Sequence, residues 1–142
     1  VKLRVVAAGK LKEAGLREVV DEYVKRSRRF LPIEVSHVRD GAAVRKALDA
    51  AASPRVILDE RGEQPDTHAL AQWLAQWRDG GVREVSLFVG DADGFSDAER
   101  TAADRVLSLS RLTLPHRLAL VVLVEQLYRA ATVLAGHPYH HE

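Results

Sequence analysis

The sequence predicts an α/β fold with a mostly parallel sheet flanked by helices, and three observations carry that reading. Extended apolar segments alternate with helical patterns along the whole chain, as repeated strand–helix–strand units require. The segments at Lys2–Ala8 and Val85–Val89 are each closed at once by a glycine, Gly9 and Gly90. No internal repeat, low-complexity tract or linker interrupts the pattern, so residues 1–142 are expected to form one domain, long enough to bury a real core.

The elements follow in order. Lys2–Ala8 reads as a strand because Leu3 and Val5 alternate with Lys2 and Arg4. Residues 13–29 read as a helix whose apolar face is Leu16, Val19, Val20, Tyr23 and Val24. The last turn of that helix holds Lys25, Arg26, Arg28 and Arg29, which suits the negative end of the helix dipole. Ile33–Val38 is a second strand, and an Ala-rich helix over Ala42–Ala52 follows. Pro54 leads into a third strand, Arg55–Leu58, with a polar turn expected at Asp59–Gly62. Asp66 or Thr67 caps the next helix, whose stripe is Leu70, Trp73, Leu74 and Trp77, and Gly80–Gly81 ends it. After the buried strand Val85–Val89, Ser96 and Glu99 form a capping box for a helix reaching about Asp104. Val106–Leu109 is a further apolar segment. A long helix then runs from His116 to Ala135, stopped by Gly136 and Pro138.

Composition narrows the chemistry. The chain has no cysteine, which removes disulfides, thiolate metal ligands and a cysteine nucleophile. The Val5–Ala8 run is too short for a signal sequence, and the longest unbroken apolar run, Leu118–Val124, falls short of a membrane span. A soluble cytoplasmic protein with no membrane partner is the expectation. Net charge is only +1, yet residues 1–46 hold 12 Lys and Arg against 6 Asp and Glu, whereas residues 47–142 hold 9 against 14. That asymmetry marks either a basic face for nucleic-acid phosphate or a solvated helix surface.

Ligands in such sheets sit beyond the carboxyl ends of the strands, which directs attention to the loops after Leu58, Val89 and Leu109. The loop Gly90–Gly94 is a strand-to-helix turn in which glycine lets backbone approach a ligand, or it is a plain turn. It lacks both the dinucleotide fingerprint and the P-loop lysine. Its Asp91 and Asp93 do not make a calcium loop, because Ser96 and Ala102 stand where Gly and Glu are needed. Ser110–Pro115 is either an ordinary connection or an extended wall with backbone donors for a flat ring. Glu125 and Arg129 are spaced for a helical ion pair, and Arg129 alternatively faces RNA phosphate. The end of the chain, His137-Pro138-Tyr139-His140-His141-Glu142, gathers proton acceptors and a stacking ring, or is a frayed terminus. Its histidines lack a fourth metal ligand, and no metal is expected.

Taken together and in this order, three segments resemble the RlmH (YbeA-like) family of SPOUT methyltransferases. They are Leu-Ser-Leu-Ser-x-Leu-Thr-Leu-Pro-His at 107–116, Val124-Glu125-Gln126-Leu127-Tyr128-Arg129-Ala130, and the His-Pro-Tyr-His tail from His137. Weaker echoes, among them Val56-Ile57-Leu58-Asp59 and Leu87-Phe88-Val89-Gly90, extend the likeness over essentially the whole chain. The resemblance implies a SPOUT-type domain with a C-terminal trefoil knot, a homodimer whose active site is completed across the interface, and S-adenosylmethionine as cofactor. It implies methylation of N3 of a pseudouridine in 23S rRNA on the assembled ribosome.

Carried over by position, Leu58, Gly90, Asp91, Ser110, Arg111, Leu112, Thr113, Leu114 and Pro115 would contact the cofactor. His140 would be the base, with Tyr139 orienting or stacking on the uracil and Glu142 a second candidate base. Arg129 would lie on the substrate side, and Lys10, Lys12, Lys25, Arg26, Arg28 and Arg29 would hold rRNA phosphates. Two departures stand out. Asp91 replaces the usual second glycine of the loop, and His141 replaces the usual arginine of the tail, weakening phosphate binding near neutral pH. A non-catalytic ribosome- or RNA-binding factor of the same fold, and a tRNA methyltransferase, are the competing readings.

Overall fold

The computed structural model describes residues 1–141; Glu142 and the side chain of His140 lie outside the described residues. Strands β1 (Lys2–Ala8), β2 (Ile33–Val38), β3 (Arg55–Glu63), β4 (Glu84–Val89) and β5 (Arg105–Leu107) form one sheet in the order β2-β1-β4-β3-β5. Every pairing is parallel. Helices α1 (Ala14–Ser27), α2 (Gly41–Ala50), α3 (Thr67–Asp79), α4 (Asp97–Ala102) and α5 (His116–Ala135) connect and cover it.

The alternation of side chains along each strand sorts the core into two layers. Leu3, Val5 and Ala7 of β1 and Val85, Leu87 and Val89 of β4 face α1, α3 and α5. Val6, Ala8, Ile57 and Phe88 face the other way, onto Val44 and Leu48 of α2 and onto Phe95. Burial on both faces is why β1 and β4 are so rich in valine. Helix α5 has the length and hydropathy of a membrane span, but Leu120, Leu123, Val124, Leu127 and Ala130 are buried in the first layer.

Local capping follows the sequence closely. Asp66 accepts from the Ala69 N–H, and Ser96 and Glu99 form the reciprocal capping box. Gly136 closes α5 at φ 68°, a conformation that favours glycine.

Two expectations change. The polar segment Asp59–Gly62 is not a turn that ends the strand at Leu58: it belongs to β3, which runs on to Glu63. The chain makes an irregular excursion between Leu58 and Glu63, both of which register with Leu107, and the Ser108 N–H donates to the Glu63 carbonyl at 2.7 Å. Gly62 permits this return, because a Cβ there would stand 2.4 Å from the Val106 carbonyl oxygen. Val19, expected on the apolar face of α1, is 39% exposed, since α1 meets its neighbours over a narrower stripe centred on Val20.

Connectivity positions the site. From β3 the chain passes to α3 on the first layer, whereas from the adjacent β4 it passes through Phe95 and α4 toward the second. Neighbouring strands that exit to opposite faces leave a crevice beyond their carboxyl ends.

Candidate active site

That crevice is a cleft of about 660 Å³ at the ends of β3, β4 and β5. Leu58, Gly90, Asp91, Ser110, Leu112, Thr113, Leu114 and Pro115 all line it. Arg111 is exposed and lies outside the lining. Sequence reasoning missed Glu60, Arg61, Phe95 and His116, which also line the cleft. Glu60 and Arg61 belong to the irregular stretch between Leu58 and Glu63, so only the long-range return to β5 brings them there. The near wall is shaped by short polar side chains: the Ser110 hydroxyl accepts from the Leu112 N–H at 2.9 Å, and the Ser108 hydroxyl donates to the Ser110 carbonyl at 3.0 Å. The Thr113 hydroxyl reaches across to the Glu60 carboxylate at 3.3 Å. Asp59, 8% exposed, anchors the excursion through Arg100 at 3.1 Å.

The floor depends on two glycines. A Cβ at Gly90 would stand 3.2 Å from the Phe95 ring, tight enough to force that ring to give. The second is distant in sequence. The Asp91 carboxylate lies against the first residue of α2, where a Cβ on Gly41 would meet its Oδ2 at 2.3 Å. Asp91 Oδ1 also accepts from the Asp93 N–H at 3.1 Å. The helix N-terminus favours a carboxylate at that point. The Arg45 guanidinium, held charged above all by its hydrogen bond to Glu99, feels the Asp91 charge as well. Asp91 is therefore engaged beside α2 while its residue borders the cleft.

The tail sits elsewhere. Pro138–His141 form a single 3-10 turn beyond α5, and Tyr139 is buried. Its hydroxyl donates to the Tyr23 hydroxyl at 3.0 Å, and its ring meets Tyr128 edge-on at 4.7 Å. Arg129 lies 4.9 Å over the same ring and is itself paired with Glu125 at 2.7 Å, so the expected ion pair and a contact with the tail are both present. Ala119 borders the cleft and Tyr128 borders the tail, nine residues or about 14 Å apart along α5. The cofactor-side residues are brought together; of the described tail residues, none lines the cleft within one chain. The predicted cations also divide. Lys10 and Lys12 follow β1, whereas Lys25, Arg26, Arg28 and Arg29 are at the other end of α1, roughly 20 Å away, and all six are exposed.

A family model described as a predicted SPOUT methyltransferase matches residues 1–140. The chain belongs to the SPOUT methyltransferase family. Two relatives of this SPOUT enzyme are each named ribosomal RNA large subunit methyltransferase H. The Thermus thermophilus protein is 46% identical, covering 99% of this chain and 98% of its own. The Geobacter metallireducens protein is 42% identical, covering 99% of both. Among solved structures, a probable methyltransferase from Bordetella pertussis Tohama I superposes with a TM-score of 0.58 at 16% identity, over 92% of this chain and 96% of that one. A probable methylase family protein from Haemophilus influenzae gives 0.59 at 11%, over 96% and 69%. These distant structures establish the fold. The family that the Leu-Thr-Leu-Pro-His and His-Pro-Tyr-His segments resemble is thus the one matched over the full length.

For this SPOUT methyltransferase, the docked tail makes a measurable prediction. Tyr139→Phe and Tyr23→Phe remove the same hydroxyl–hydroxyl bond, so each should cost about 1 kcal/mol and the pair little more than either alone. Urea denaturation of the two single variants and the double variant checks this. Full additivity would show that the hydroxyls act separately.

Proposed function

We propose that the chain is a homodimeric cytoplasmic enzyme that methylates N3 of a pseudouridine in 23S rRNA on the assembled ribosome, using S-adenosylmethionine. The match over 99% of the chain to relatives named for large-subunit ribosomal RNA methylation carries this reading. One SPOUT domain spanning residues 1–142, with the C-terminal trefoil knot of the family it resembles, belongs to the same proposal.

The residues of the cleft fit such a donor. Its volume, about 660 Å³, lies within the range of small-molecule sites. Leu58, Leu112 and Leu114 offer an apolar slot for a flat ring, while Glu60 borders it with negative charge suited to a cation. The missing Cβ of Gly90 lets the Phe95 ring pack beside the loop that borders the cleft. Leu58, Gly90, Asp91, Ser110 and the segment Leu112–Pro115 would hold the donor, which supplies a methyl group on a positively charged sulfur. The competing reading, a factor that lost cofactor binding through Asp91, loses its ground because that carboxylate lies against Gly41.

Attack by a ring nitrogen on a methyl carbon needs alignment, and the N3 proton must leave. His140 is the proposed acceptor of that proton, with Glu142 the second candidate. Tyr139 positions the tail. Burial, and then its bond to Tyr23, push the Tyr139 hydroxyl well above the ordinary tyrosine range, so it stays neutral at working pH. Arg129, bridging Glu125 and the Tyr139 ring, steadies that arrangement on the substrate side.

A dimer fits the separation of cleft and tail along α5. Leu118 and Val122, one turn apart on α5, are each 38% exposed, and Leu112 at the cleft mouth is 76% exposed. Such residues suit a second copy better than water.

The deciding experiment offers labelled donor with intact ribosomes, isolated subunits, free rRNA and tRNA in parallel. Transfer to assembled ribosomes, mapping to N3 of one pseudouridine, is the expected result. Transfer to tRNA or to free RNA alone would overturn the assignment.

A further inference from the structure

A second cleft, of about 400 Å³, opens between the end of α1 and the tail, well away from the donor cleft. Arg26, Arg29, Phe30, Tyr128, His137 and Tyr139 line it, and among the described residues no carboxylate-bearing one does. Phe30 and His137 meet edge to face at 5.5 Å, forming an aromatic corner. Arg29 lies 5.6 Å from the Phe30 ring centroid, and Arg26 lies 5.4 Å from that of Tyr23. Arg26 is already paired with Glu22 at 2.8 Å, which fixes its guanidinium beside the cleft without adding an acid to it.

We infer that this cleft takes one unstacked RNA nucleotide, its phosphate between Arg26 and Arg29 and its base against Phe30 and His137. A solvated helix end would account for the arginines but not for aromatic rings set among them. Rings beside guanidinium planes form the platform on which single-stranded bases stack, and every base has a face to offer. The volume suits one nucleotide and excludes a duplex. An acidic peptide would use the arginines and leave the corner idle. Tyr139 lines this cleft and directly precedes His140, so the bound nucleotide lies next to the one presented for methylation. That last step rests on the proposed function, which makes the tail the substrate side.

Uridine 5′-monophosphate, uridine and inorganic phosphate are titrated separately into isotope-labelled protein and followed by NMR. The monophosphate should bind more tightly than either part and shift the Arg26, Arg29 and His137 signals. Equal binding of phosphate alone would reduce the site to an anion patch and overturn the inference, as would tighter binding of hexaglutamate. On ribosomes, Arg29→Ala should raise KM several-fold with little change in kcat and flatten the salt dependence of binding by about one unit of slope. Phe30→Leu, which keeps an apolar side chain at a partly buried position, should raise KM without altering that slope. An unchanged KM in both variants, in a protein that methylates ribosomes normally, overturns the nucleotide site and leaves the proposed function standing. Nucleotide binding at these residues in a protein that leaves ribosomes unmethylated supports the site and overturns the proposed function instead.

Discussion

Gly41→Ala should lower the affinity for S-adenosylhomocysteine about tenfold, close to 1.4 kcal/mol, although residue 41 belongs to a helix outside the proposed donor site. Alanine is favoured over glycine in a helix by up to about 1 kcal/mol, so propensity alone makes the substitution stabilising. Here the added Cβ would meet all three terminal atoms of Asp91 between 2.3 and 2.6 Å. Asp91 is short and can rotate, so the fold gives way cheaply; the carboxylate leaves the N-terminus of α2, and the room open to it is the cleft its residue borders. The cost therefore falls on the ligand and not on the fold. Asp91→Gly should restore affinity in the Gly41→Ala background, and the double variant should be the more stable one because the helix propensity is then realised. Calorimetric titration together with thermal denaturation of both variants tests the coupling. Unchanged affinity in Gly41→Ala would show that the Asp91 position does not control the cleft.

That contact illustrates what the sequence conveys and what it conceals. Gly41 and Asp91 are 50 positions apart, and neither carries a local sign that one makes room for the other. Helix α5, by contrast, is legible to the residue, because Pro115 opens it and the left-handed Gly136 closes it. Asp66 and the Ser96–Glu99 box are equally local, and both are formed as expected. The strands β1 and β4 were legible because their apolar content reflects burial that any neighbour supplies. The excursion from Asp59 to Gly62 was not, since its polar composition reads as a turn while its path is set by backbone pairing of Glu63 with β5. Glu60 and Arg61 were missed as cleft residues for the same reason. The tail was legible as a cluster of reactive types, yet its docking on Tyr23, 116 residues earlier, has no local signal.

Mixing two inactive variants should restore about a quarter of wild-type activity if the site is shared between chains. Methyl transfer needs reacting atoms within about 3–3.5 Å. Tyr139 is packed on Tyr128, about 14 Å along α5 from Ala119 at the cleft. His140 is one residue beyond Tyr139, and one residue advances the chain by no more than about 3.6 Å. With Tyr139 docked, the backbone that follows it stays near Tyr128, and the proposed dimer would bring the tail of a second copy to the cleft. Leu58→Arg fills the donor cleft and leaves the tail intact; His140→Ala does the reverse, and each homodimer should be inactive. In a random mixture half the dimers are mixed, and each mixed dimer joins one sound cleft to one sound tail, leaving roughly one working site in four. Combining both substitutions in one chain and mixing it with wild type reverses the test, because mixed dimers then hold no complete site. Recovery in that second mixture to about half of wild type, with none in the first, would place cleft and tail in the same chain and require Tyr139 to leave its pocket during turnover.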